Sequence, residues 1–505
     1  MKESRSKSKA YSPASHGRSG KRARRRRTAE NGLTYDIAIV GAGPAGLAAA
    51  ELATRLGARV ALLERHRLGG TSLNSGSVPS KALIRSATLF AEIREATRLQ
   101  GSGQREPVAD LKRVVARLRK IEERIGGYHS LQRLKRMGVD VYFGAARFVG
   151  PQSVETSATR LAFDKALVAT GARPAPPNIP GLAEGWYVTS ESVFELAGLP
   201  QHLAVVGGGP LGCELAQAFC RLGSRVTIIQ DEAKFLPREE RDAAQIIAQS
   251  MARDGVTIYL NTKVVGARIE KESLVLETEN YQMKRQVAAD RVLVSVGRIP
   301  NVDALGLEAA GISFDPTHGI AVDEFLRTTN PRVYAAGDVC MPHKYTHVAE
   351  STARIAVRNS LRRARLRHTD LTIPWCTFCA PEVAHVGLQV WEARARSIPI
   401  KTFTVMMQDV DRAITDRQDM GFVKLHVAEG DDRILGATIV ASRASEMINE
   451  ICVAMSTGIG LRALAEVIHT YPSQSAAIRL AAMSLDGPSS ARDEKRTDAK
   501  WLAPR

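Results

Sequence analysis

The sequence is poor in cysteine, in aromatic side chains and in long apolar runs. It has six cysteines among 505 residues, and aromatic residues make up 5% of the chain. Six scattered cysteines are too few for a disulfide framework, so the reducing cytoplasm is the simplest expected location. No run of 18 apolar residues occurs, so we expect no transmembrane helix. No cluster of His, Cys or Asp has metal-ligand spacing, so no metal site is predicted.

Acidic residues are scarce at the start of the chain. Residues 1–30 contain eleven Lys or Arg against Glu3 and Glu30, which accounts for +9 of the formal net charge of +17. The block at 21–27 repels itself, so we expect a disordered basic tail over 1–32. We favour a solvated tail over binding to nucleic acid or an anionic surface, because nothing after it has the pattern of a nucleic-acid module.

The rest of the chain has the composition of a globular protein, with 44% apolar and 24% charged residues. Its length predicts two to four domains. Two segments repeat one pattern of apolar strand, GxGxxG loop, helix and second strand ending in a polar residue. They run from Gly41 to Glu64 and from Gly207 to Gln230, a spacing of 23 residues each time. Two such loops in this context predict two dinucleotide-binding units.

The first loop is expected to bind FAD. Gly41 permits the tight turn, Gly43 lets the backbone approach the pyrophosphate, and Gly46 lets helix and strand pack closely. The helix N-terminus offers free N–H groups to the phosphates. Glu64 is expected to accept hydrogen bonds from the adenosine ribose.

The second loop, with Gly207, Gly209 and Gly212, is expected to bind NAD(H) or NADP(H). Gln230 stands where a carboxylate would favour an unphosphorylated ribose. Its amide is neutral and neither repels nor strongly holds a 2′-phosphate. Asp231 follows it, so we lean towards NADH and leave NADPH open.

Residues 69–81 read GGTSLNSGSVPSK. This segment resembles the redox-disulfide segment, GGTCLNxGCxPSK, of the flavin-dependent pyridine nucleotide–disulfide oxidoreductases, which include dihydrolipoamide dehydrogenase, glutathione reductase and mercuric reductase. Further motifs, GAGPAG, ATG, GGGPLGCE, VGRIPN and AAGDV, extend the resemblance over about 33–485. Ser72 and Ser77 stand where the family has its two cysteines. A hydroxyl group can neither form a disulfide nor relay an electron pair.

The resemblance implies an α/β fold with two Rossmann-like dinucleotide-binding domains, for FAD and NAD(P), and a C-terminal α+β dimerisation domain. It therefore implies a homodimer. The expected boundaries are a split FAD-binding domain at 33–186 and 320–372, an NAD(P)-binding domain at 187–319, a dimerisation domain at 373–485 and a C-terminal tail at 486–505.

The resemblance also implies roles for individual residues. Lys81 would place its ammonium beside flavin N5, paired with Glu214, so both are expected to be catalytic. Asp338 would bind the FAD ribityl chain, and Thr346 and His347 would lie near the isoalloxazine. The remaining expected cofactor contacts are Thr71, Ala146 through its backbone near the adenine, Thr170, Gly171 and Arg298 for FAD, and Val264 and Gly297 for the nicotinamide nucleotide.

The chain departs from the family again near its C-terminus. The family's HPTxxE motif supplies a proton-shuttling His–Glu dyad from the partner subunit. Here Tyr471 occupies the His position and Ala476 the Glu position. His469 lies two residues earlier, and whether it substitutes for the missing His is left open.

Two cysteines, Cys376 and Cys379, have the CxxC spacing of a redox pair. They fall on a predicted strand, where side chains at i and i+3 face opposite ways, so we reject that interpretation. The chain also has no C-terminal vicinal cysteine pair such as a mercuric reductase uses to deliver metal.

These features predict an FAD-dependent NAD(P)H:acceptor oxidoreductase that reduces a small-molecule acceptor, such as a quinone, directly from the flavin. Ser72, Ser77 and Tyr471 would border the acceptor pocket. One alternative is a mercuric reductase-like or dihydrolipoamide dehydrogenase-like protein that is inactive on its nominal substrate. Another is a non-catalytic FAD- and NAD-binding interaction protein.

Overall fold

The structure is a computed structural model that describes residues 28–29, 32–101, 108–270, 273–281 and 283–487. The predicted basic tail falls almost entirely outside these residues, and so does the C-terminal tail after residue 487. The expected domain boundaries stay predictions, and the elements are described by the sheets they form. No helix of the described residues is long and apolar enough to cross a membrane.

The described residues form strands and α-helices with the following bounds. The strands are β1 (Thr28–Ala29), β2 (Gly32–Val40), β3 (Val60–Glu64), β4 (Val139–Phe143), β5 (Arg147–Gly150), β6 (Ser153–Glu155), β7 (Arg160–Val168), β8 (Ala172–Pro174), β9 (Tyr187–Thr189), β10 (His202–Val206), β11 (Arg225–Ile229), β12 (Thr257–Tyr259), β13 (Lys263–Glu270), β14 (Ser273–Asn280), β15 (Met283–Ala289), β16 (Arg291–Val294), β17 (Arg298–Pro300), β18 (Phe314–Asp315), β19 (Gly319–Ile320), β20 (Val333–Ala335), β21 (Pro374–Thr377), β22 (Glu382–Gly387), β23 (Ile400–Met406), β24 (Phe422–Ala428) and β25 (Ile434–Ala441). The α-helices are α1 (Pro44–Arg55), α2 (Gly70–Asn74), α3 (Ser77–Leu99), α4 (Leu111–Gly126), α5 (Leu131–Arg136), α6 (Pro210–Leu222), α7 (Arg241–Asp254), α8 (Thr346–Arg362), α9 (Val390–Ala395), α10 (Asp411–Thr415), α11 (Ala444–Thr457), α12 (Leu461–Glu466) and α13 (Ala476–Met483).

The first sheet has the order β4-β3-β2-β7-β6-β5, and β20 pairs with β7 in parallel. Its central strands are parallel. Ile37, Ala38 and Ile39 are each at most 1% exposed, because a parallel sheet covered on both faces needs a continuous apolar run. Helices α1 and α8 pack into the core on one face. The first glycine loop follows β2 in this sheet, and the second follows β10 in the second sheet, which is also parallel. Both loops therefore begin at the carboxyl ends of parallel strands, where α/β sheets bind their ligands.

The second sheet is parallel throughout, with the order β12-β11-β10-β16-β9. A three-stranded antiparallel sheet, β13-β14-β15, packs beside it through a shared apolar core. The third large sheet is antiparallel, with the order β21-β22-β25-β24-β23. Helices α11 and α13 contribute to its core. The predicted fold class is confirmed: two Rossmann-like units are followed by an α+β unit.

A buried charge cluster joins the second and third sheets. Glu240, just before α7, is 5% exposed and bonds to the Lys424 ammonium on β24 at 2.5 Å. The His426 Nε2 atom lies 3.3 Å from the same carboxyl group. Burial opposes ionisation of Glu240, but the contacts with His426 and Lys424 prevail and lower the pKa of Glu240 to about 2.

Replacing Glu240 by Gln should destabilise the fold in a pH-dependent manner. The pKa of Glu240 is about 2 in the folded chain against an ordinary value of 4.5, a difference worth about 3 kcal/mol. Because the folded pKa is lowered, this contribution is complete above pH 4.5 and is lost as the pH falls towards 2. The free energy of unfolding from urea titrations of wild type and Glu240→Gln should converge over that range.

Asp242→Asn is the matched control, because Asp242 also bonds Lys424 but its side chain is 52% exposed. It should cost less than about 1 kcal/mol. A difference between wild type and Glu240→Gln that stays constant from pH 6 to pH 3 would contradict the assignment.

Candidate flavin and nicotinamide site

The two glycine loops have matching geometry. A Cβ on Gly46 would lie 1.8 Å from the Gly41 carbonyl oxygen, and one on Gly212 would lie 2.2 Å from the Gly207 carbonyl oxygen. These glycines let each helix press against its own loop. Gly43 and Gly209 face open space instead: a Cβ on Gly43 would have only Gly70 within 4 Å, and one on Gly209 would have nothing. The open positions are those at which a pyrophosphate must approach the backbone.

Helices α1 and α6 present free amino ends at these loops. Their N-cap residues, Gly43 and Gly209, make no side-chain cap, and neither helix has an acidic residue in its first turn. The unsatisfied N–H groups and the positive end of the helix dipole therefore remain available to an anion. Both helix ends fit a phosphate-bearing nucleotide.

The polar residues at the ends of β3 and β11 occupy equivalent places. The Glu64 Oε2 atom accepts the Ala42 N–H at 2.7 Å, and the Gln230 Oε1 atom accepts the Gly208 N–H at 2.6 Å. The second Glu64 oxygen accepts the His66 N–H at 2.8 Å. Each side chain thus ties its glycine loop to the end of the following strand. Glu64 does so with a carboxylate, which only accepts hydrogen bonds, whereas the Gln230 amide also carries an NH₂ donor.

The expected adenine neighbour lies beside the same strand end. The Gly144 N–H donates to the Glu64 carbonyl oxygen at 2.9 Å, which brings the loop that carries Ala146 alongside Glu64. Thr170 and Asn301 form a reciprocal pair: the Thr170 hydroxyl donates to the Asn301 carbonyl at 2.8 Å, and the Asn301 amide donates to the Thr170 carbonyl at 2.9 Å. This pair fixes the backbone that leads into Gly171.

Asp338 fits the role of a ligand acceptor. It follows β20 and is half-buried, and its carboxylate has no hydrogen-bond donor among the described residues. The nearest cation is the Arg298 guanidinium, whose Nε atom lies 4.0 Å from Oδ2. Burial raises the pKa of Asp338, while Arg298 and Lys344 partly oppose that rise. A partly desolvated acceptor of this kind is suited to the hydroxyl groups of a ribityl chain.

The segment around Ser72 packs between α1 and α8. A Cβ on Gly70 would lie 2.6 Å from the Gly43 Cα atom, so the start of α2 lies against the first phosphate loop. The Ser72 Oγ atom is 2.7 Å from the Thr346 Oγ1 atom at the first residue of α8. The neighbouring His347 ring bonds the Pro374 carbonyl through Nε2 at 2.8 Å. Gly43, Ser72 and Thr346 are therefore neighbours at one edge of the first sheet.

Thr71 caps the end of α2 with its carbonyl oxygen, which accepts the Ser75 N–H at 3.0 Å. Ser77 is the exposed first residue of α3. Lys81 follows it by four residues, so the two side chains share one face of the helix. Pro79 lies in the first turn of α3, where proline is tolerated because the N–H groups of that turn have no partner within the helix.

Lys81 and Glu214 meet as predicted. The Lys81 Nζ atom lies 2.7 Å from the Glu214 Oε2 atom, and Glu214 is 4% exposed. The other Glu214 oxygen accepts the Phe378 N–H at 2.9 Å. The Lys81 ammonium also lies 4.3 Å from the centre of the Phe378 ring. Both carboxylate oxygens are thus satisfied, and the ammonium keeps part of its surface open.

Phe378 was missed by the sequence interpretation. It lies in the C-terminal unit, 164 residues from Glu214. No local motif marks a backbone N–H as the partner of a distant carboxylate, so only the folded chain reveals it.

Gly297 and Val264, which are expected to contact the nicotinamide nucleotide, differ in how accessible they are. A Cβ on Gly297 would meet nothing within 4 Å, so its backbone is open. The Val264 side chain is 7% exposed and packs in the core between the second and the three-stranded sheets. Any contact of Val264 with a nucleotide must therefore come from its backbone.

Tyr471, which is expected at the acceptor pocket, lies on the surface of the third unit, whereas the side chain of His469, two residues earlier, is 9% exposed. Tyr471 is 76% exposed, and its hydroxyl donates to the Asp411 carboxylate at 3.0 Å. The His469 Nδ1 atom lies 3.0 Å from the Val467 carbonyl, and its Nε2 atom lies 2.8 Å from the Glu450 carboxylate. Both ring nitrogens of His469 are therefore within hydrogen-bond distance of a partner.

All six cysteines lie within the described residues, and all are free. Cys376 packs with the core of the third sheet, whereas Cys379 packs with the core around α6. The strand predicted to hold both cysteines ends at Thr377, so Cys379 lies beyond it, and the two thiols pack in different cores. Burial raises the pKa of Cys213, Cys376 and Cys379 well above the ordinary value, so these thiols stay protonated. Among the described residues, no group of three His, Cys, Asp or Glu side chains could hold a metal ion.

Gly46→Ala and Gly212→Ala should separate the two nucleotide sites. The methyl group at residue 46 would push α1 away from its loop, so the purified protein should lose most of its flavin absorbance at 450 nm relative to 280 nm. The methyl group at residue 212 should leave flavin content unchanged and weaken binding of NADH in a fluorescence titration. Full flavin loading in Gly46→Ala would contradict the assignment of the first loop to FAD.

Comparisons with known proteins agree with this geometry. Residues 35–358 match the family described as pyridine nucleotide-disulphide oxidoreductase, and residues 373–482 match the dimerisation domain of that family. A mercuric reductase of Staphylococcus aureus is 32% identical over 457 residues, which cover 90% of this chain and 82% of the relative. A dihydrolipoyl dehydrogenase of Thermus scotoductus is 32% identical over 456 residues, which cover 90% of this chain and 97% of the relative.

Solved structures show the same fold. LpdA from Mycobacterium tuberculosis superposes with a TM-score of 0.82 at 29% identity, over 89% of this chain and 99% of LpdA. The HOCl-induced flavoprotein disulfide reductase RclA from Escherichia coli superposes with a TM-score of 0.80 at 29% identity, over 89% of this chain and 99% of RclA. Members of the family use FAD and a pyridine nucleotide. The chain belongs to the pyridine nucleotide–disulphide oxidoreductase family and is an oxidoreductase of that class.

Proposed function

We propose that the protein is an FAD-dependent NAD(P)H:acceptor oxidoreductase that works without a redox disulfide. The observation that supports this proposal is that Ser72 and Ser77 stand where the family has its two redox cysteines. Their segment packs against the first phosphate loop and α8. Bound FAD, which the first glycine loop and Asp338 would hold, would supply hydride and two-electron chemistry between the nicotinamide and the acceptor. With a quinone as acceptor, NAD(P)H, one proton and the quinone give NAD(P)⁺ and the hydroquinone.

The cysteine chemistry supports this proposal. A substitute relay would need a thiolate, since the thiolate is the reactive form. Cys376 is the cysteine whose electrostatic environment includes both Lys81 and Glu214, yet burial raises its pKa well above the ordinary value. A protonated thiol there is a packing group, not a relay.

Lys81 would supply charge at the flavin. A cation beside the N1/N5 edge of an isoalloxazine favours the anionic reduced ring. Glu214 holds that ammonium in place at 2.7 Å, and the Phe378 N–H holds Glu214. The contact with Phe378 leaves the ammonium partly desolvated, which strengthens its field.

The acceptor pocket would form in a homodimer. Tyr471 is exposed in the unit that matches the family's dimerisation domain, so a second copy of the chain could present it over Ser72 and Ser77. Small hydroxyl side chains and a phenol suit a planar acceptor that binds by stacking and by hydrogen bonds to its oxygens.

The second loop favours NADH. Gln230 is 5% exposed and is fixed by the Gly208 N–H, and two acidic residues, Asp231 and Glu232, follow it on the surface. Arg238, one of the cations nearby in sequence, lies beside the Tyr345 hydroxyl. Two exposed carboxylates at this point oppose a 2′-phosphate.

Restoring cysteine at both positions tests the missing relay. The Ser72→Cys/Ser77→Cys holoprotein should show a new long-wavelength charge-transfer band after two-electron reduction. Ser75→Cys/Ser80→Cys adds the same number of thiols to the same segment and should show none. A flavin-loaded Ser72→Cys/Ser77→Cys protein without the band would contradict the placement of these residues over the flavin.

Steady-state assays distinguish the proposal from its alternatives. The wild-type holoprotein should oxidise NADH with benzoquinone and should show no turnover with lipoamide, oxidised glutathione or Hg²⁺. If NADH fails to bleach the flavin at all, the chain is a non-catalytic binding protein. If NADH bleaches the flavin but no quinone reoxidises it faster than dioxygen does, direct quinone reduction is wrong.

Lys81→Met should slow flavin reduction by NADH about tenfold or more in stopped flow, because the ring loses a cation worth at least about 1.4 kcal/mol in the transition state. The midpoint potential of the bound flavin should become more negative. Lys81→Arg keeps the charge and should recover part of both losses. Unchanged potential in flavin-loaded Lys81→Met would contradict a role for this ammonium at the ring.

A further inference from the structure

A short segment of the third unit, residues 378–380, is held by side chains of the second unit. Strand β21 ends at Thr377 and β22 begins at Glu382, so the segment lies between two strands. The Phe378 N–H donates to the Glu214 carboxylate at 2.9 Å, and the Ala380 N–H donates to the Gln217 side-chain oxygen at 2.8 Å. Two side chains of α6 thus accept the hydrogen bonds that a neighbouring strand would otherwise accept.

Glu214 and Gln217 share one face of α6. They are three residues apart, a spacing at which helical side chains lie side by side. Glu214 is 4% exposed and Gln217 is 3% exposed. A buried polar group is costly unless it is hydrogen-bonded. The burial of both side chains is therefore tolerated because the backbone of the third unit supplies their partners.

The Gln217 amide bonds Ala380 on both sides. Its Nε2 atom donates to the Ala380 carbonyl oxygen at 3.2 Å, while its Oε1 atom accepts the Ala380 N–H. Nε2 also donates to the Asp254 carboxylate at 2.8 Å, and the Arg221 Nε atom donates to the same carboxylate oxygen at 2.8 Å. Turning the amide over would place its oxygen against a carbonyl and a carboxylate, so its surroundings fix one orientation.

Ser250 on α7 makes a further contact with the same peptide group. Ser250 is 6% exposed, and its hydroxyl donates to the Ala380 carbonyl oxygen at 2.5 Å. Ala380 is therefore held by two hydrogen bonds with Gln217 and one with Ser250. Helices α6 and α7 both take part in fixing this residue of the third unit.

The position of Ala380 affects Lys81 through Phe378. Phe378 lies two residues before Ala380, and its ring centre is 4.3 Å from the Lys81 Nζ atom. Its N–H bonds Glu214, whose other carboxylate oxygen lies 2.7 Å from Nζ. A displacement of Ala380 would move the ring and the N–H of Phe378 together. Both contacts of the ammonium therefore depend on where the segment 378–380 is held.

We propose that Gln217 and Ser250 are positioning residues for the Lys81 ammonium at the flavin. They act by fixing residues 378–380, and the inference rests on the proposed role of Lys81. The field of an ammonium on the reduced ring falls with distance, so a displaced Lys81 stabilises the reduced flavin less.

The alternative is that these two buried side chains only stabilise the contact between the units. The two roles change different quantities. Loss of a stabilising contact lowers the free energy of unfolding and leaves the flavin of the folded protein unaltered. Loss of position changes the midpoint potential of that flavin. The potential is measured without any electron acceptor such as a quinone, so it tests this inference separately from direct quinone reduction.

Gln217→Met and Ser250→Ala test the inference in the flavin-loaded protein. Methionine fills a similar volume but loses both hydrogen bonds with Ala380, whereas alanine at 250 loses one. The midpoint potential should become more negative in both variants, and more so in Gln217→Met. Flavin reduction by NADH in stopped flow should be about threefold or more slower in Gln217→Met. If Gln217→Met does not retain flavin, the same comparison is made with Ser250→Ala.

Ser224→Ala is the matched control. Ser224 is 4% exposed, and its hydroxyl donates to the Pro200 carbonyl oxygen at 2.6 Å, within the second unit. The variant loses a buried serine-to-carbonyl hydrogen bond like that of Ser250, yet it should keep the wild-type potential and reduction rate. Equal changes in Ser224→Ala and Ser250→Ala would overturn the inference.

A double-mutant cycle shows whether the clamp acts through the ammonium. Gln217→Met should leave the potential of the Lys81→Met protein unchanged, because the group that it displaces is gone. The same shift with and without Lys81 would contradict the inference. If Lys81→Met alone left the potential unchanged, the proposed role of Lys81 would fail and the inference with it. If Lys81→Met changed the potential but Gln217→Met and Ser250→Ala did not, only the inference would fail.

Discussion

The ion pair between Lys81 and Glu214 is the contact on which the arrangement of the three units depends. Lys81 belongs to α3, Glu214 to α6 of the second unit, and the Phe378 N–H that completes the Glu214 carboxylate belongs to the C-terminal unit. A carboxylate that is 4% exposed is costly unless it is both paired and hydrogen-bonded. Each unit therefore satisfies a charge that another unit supplies. The contact between the three units is held by electrostatics as well as by apolar packing.

The two glycine loops share one local geometry. In both, a helix presses against its own loop at one glycine and leaves another glycine open. The difference lies in a single side chain: Glu64 presents a carboxylate at the strand end, and Gln230 presents an amide. Each accepts the backbone N–H of the second residue of its own loop, Ala42 or Gly208, so the exchange of carboxylate for amide preserves this contact.

Local sequence patterns predicted the fold because its strands, glycine loops and helices are each determined by residues close together in the chain. The second strand of each repeat was predicted to end at a polar residue. Strand β3 ends at Glu64, and β11 ends at Ile229, directly before Gln230. Motif positions likewise predicted that Lys81 and Glu214 meet. The contact of Phe378 with Glu214 could not be predicted, because it depends on how the C-terminal unit packs. One His469 ring nitrogen contacts the Val467 carbonyl two residues away, and the other contacts Glu450, so the second contact depends on how α11 packs.

Helix α8 runs along the first sheet from one end to the other, so its dipole acts on charges at both ends. Its amino end carries Thr346 beside Ser72, where a positive partial charge favours an anionic ligand. Its carboxyl end favours cations, which accounts for Arg362 in the last turn. That effect is worth about 0.3–1 kcal/mol and fades within one turn. It does not reach Arg358, a turn earlier, and it does not concern Arg332 or Lys165, which lie on other elements. The dipole of α8 therefore accounts for only one of the arginines at this end of the helix.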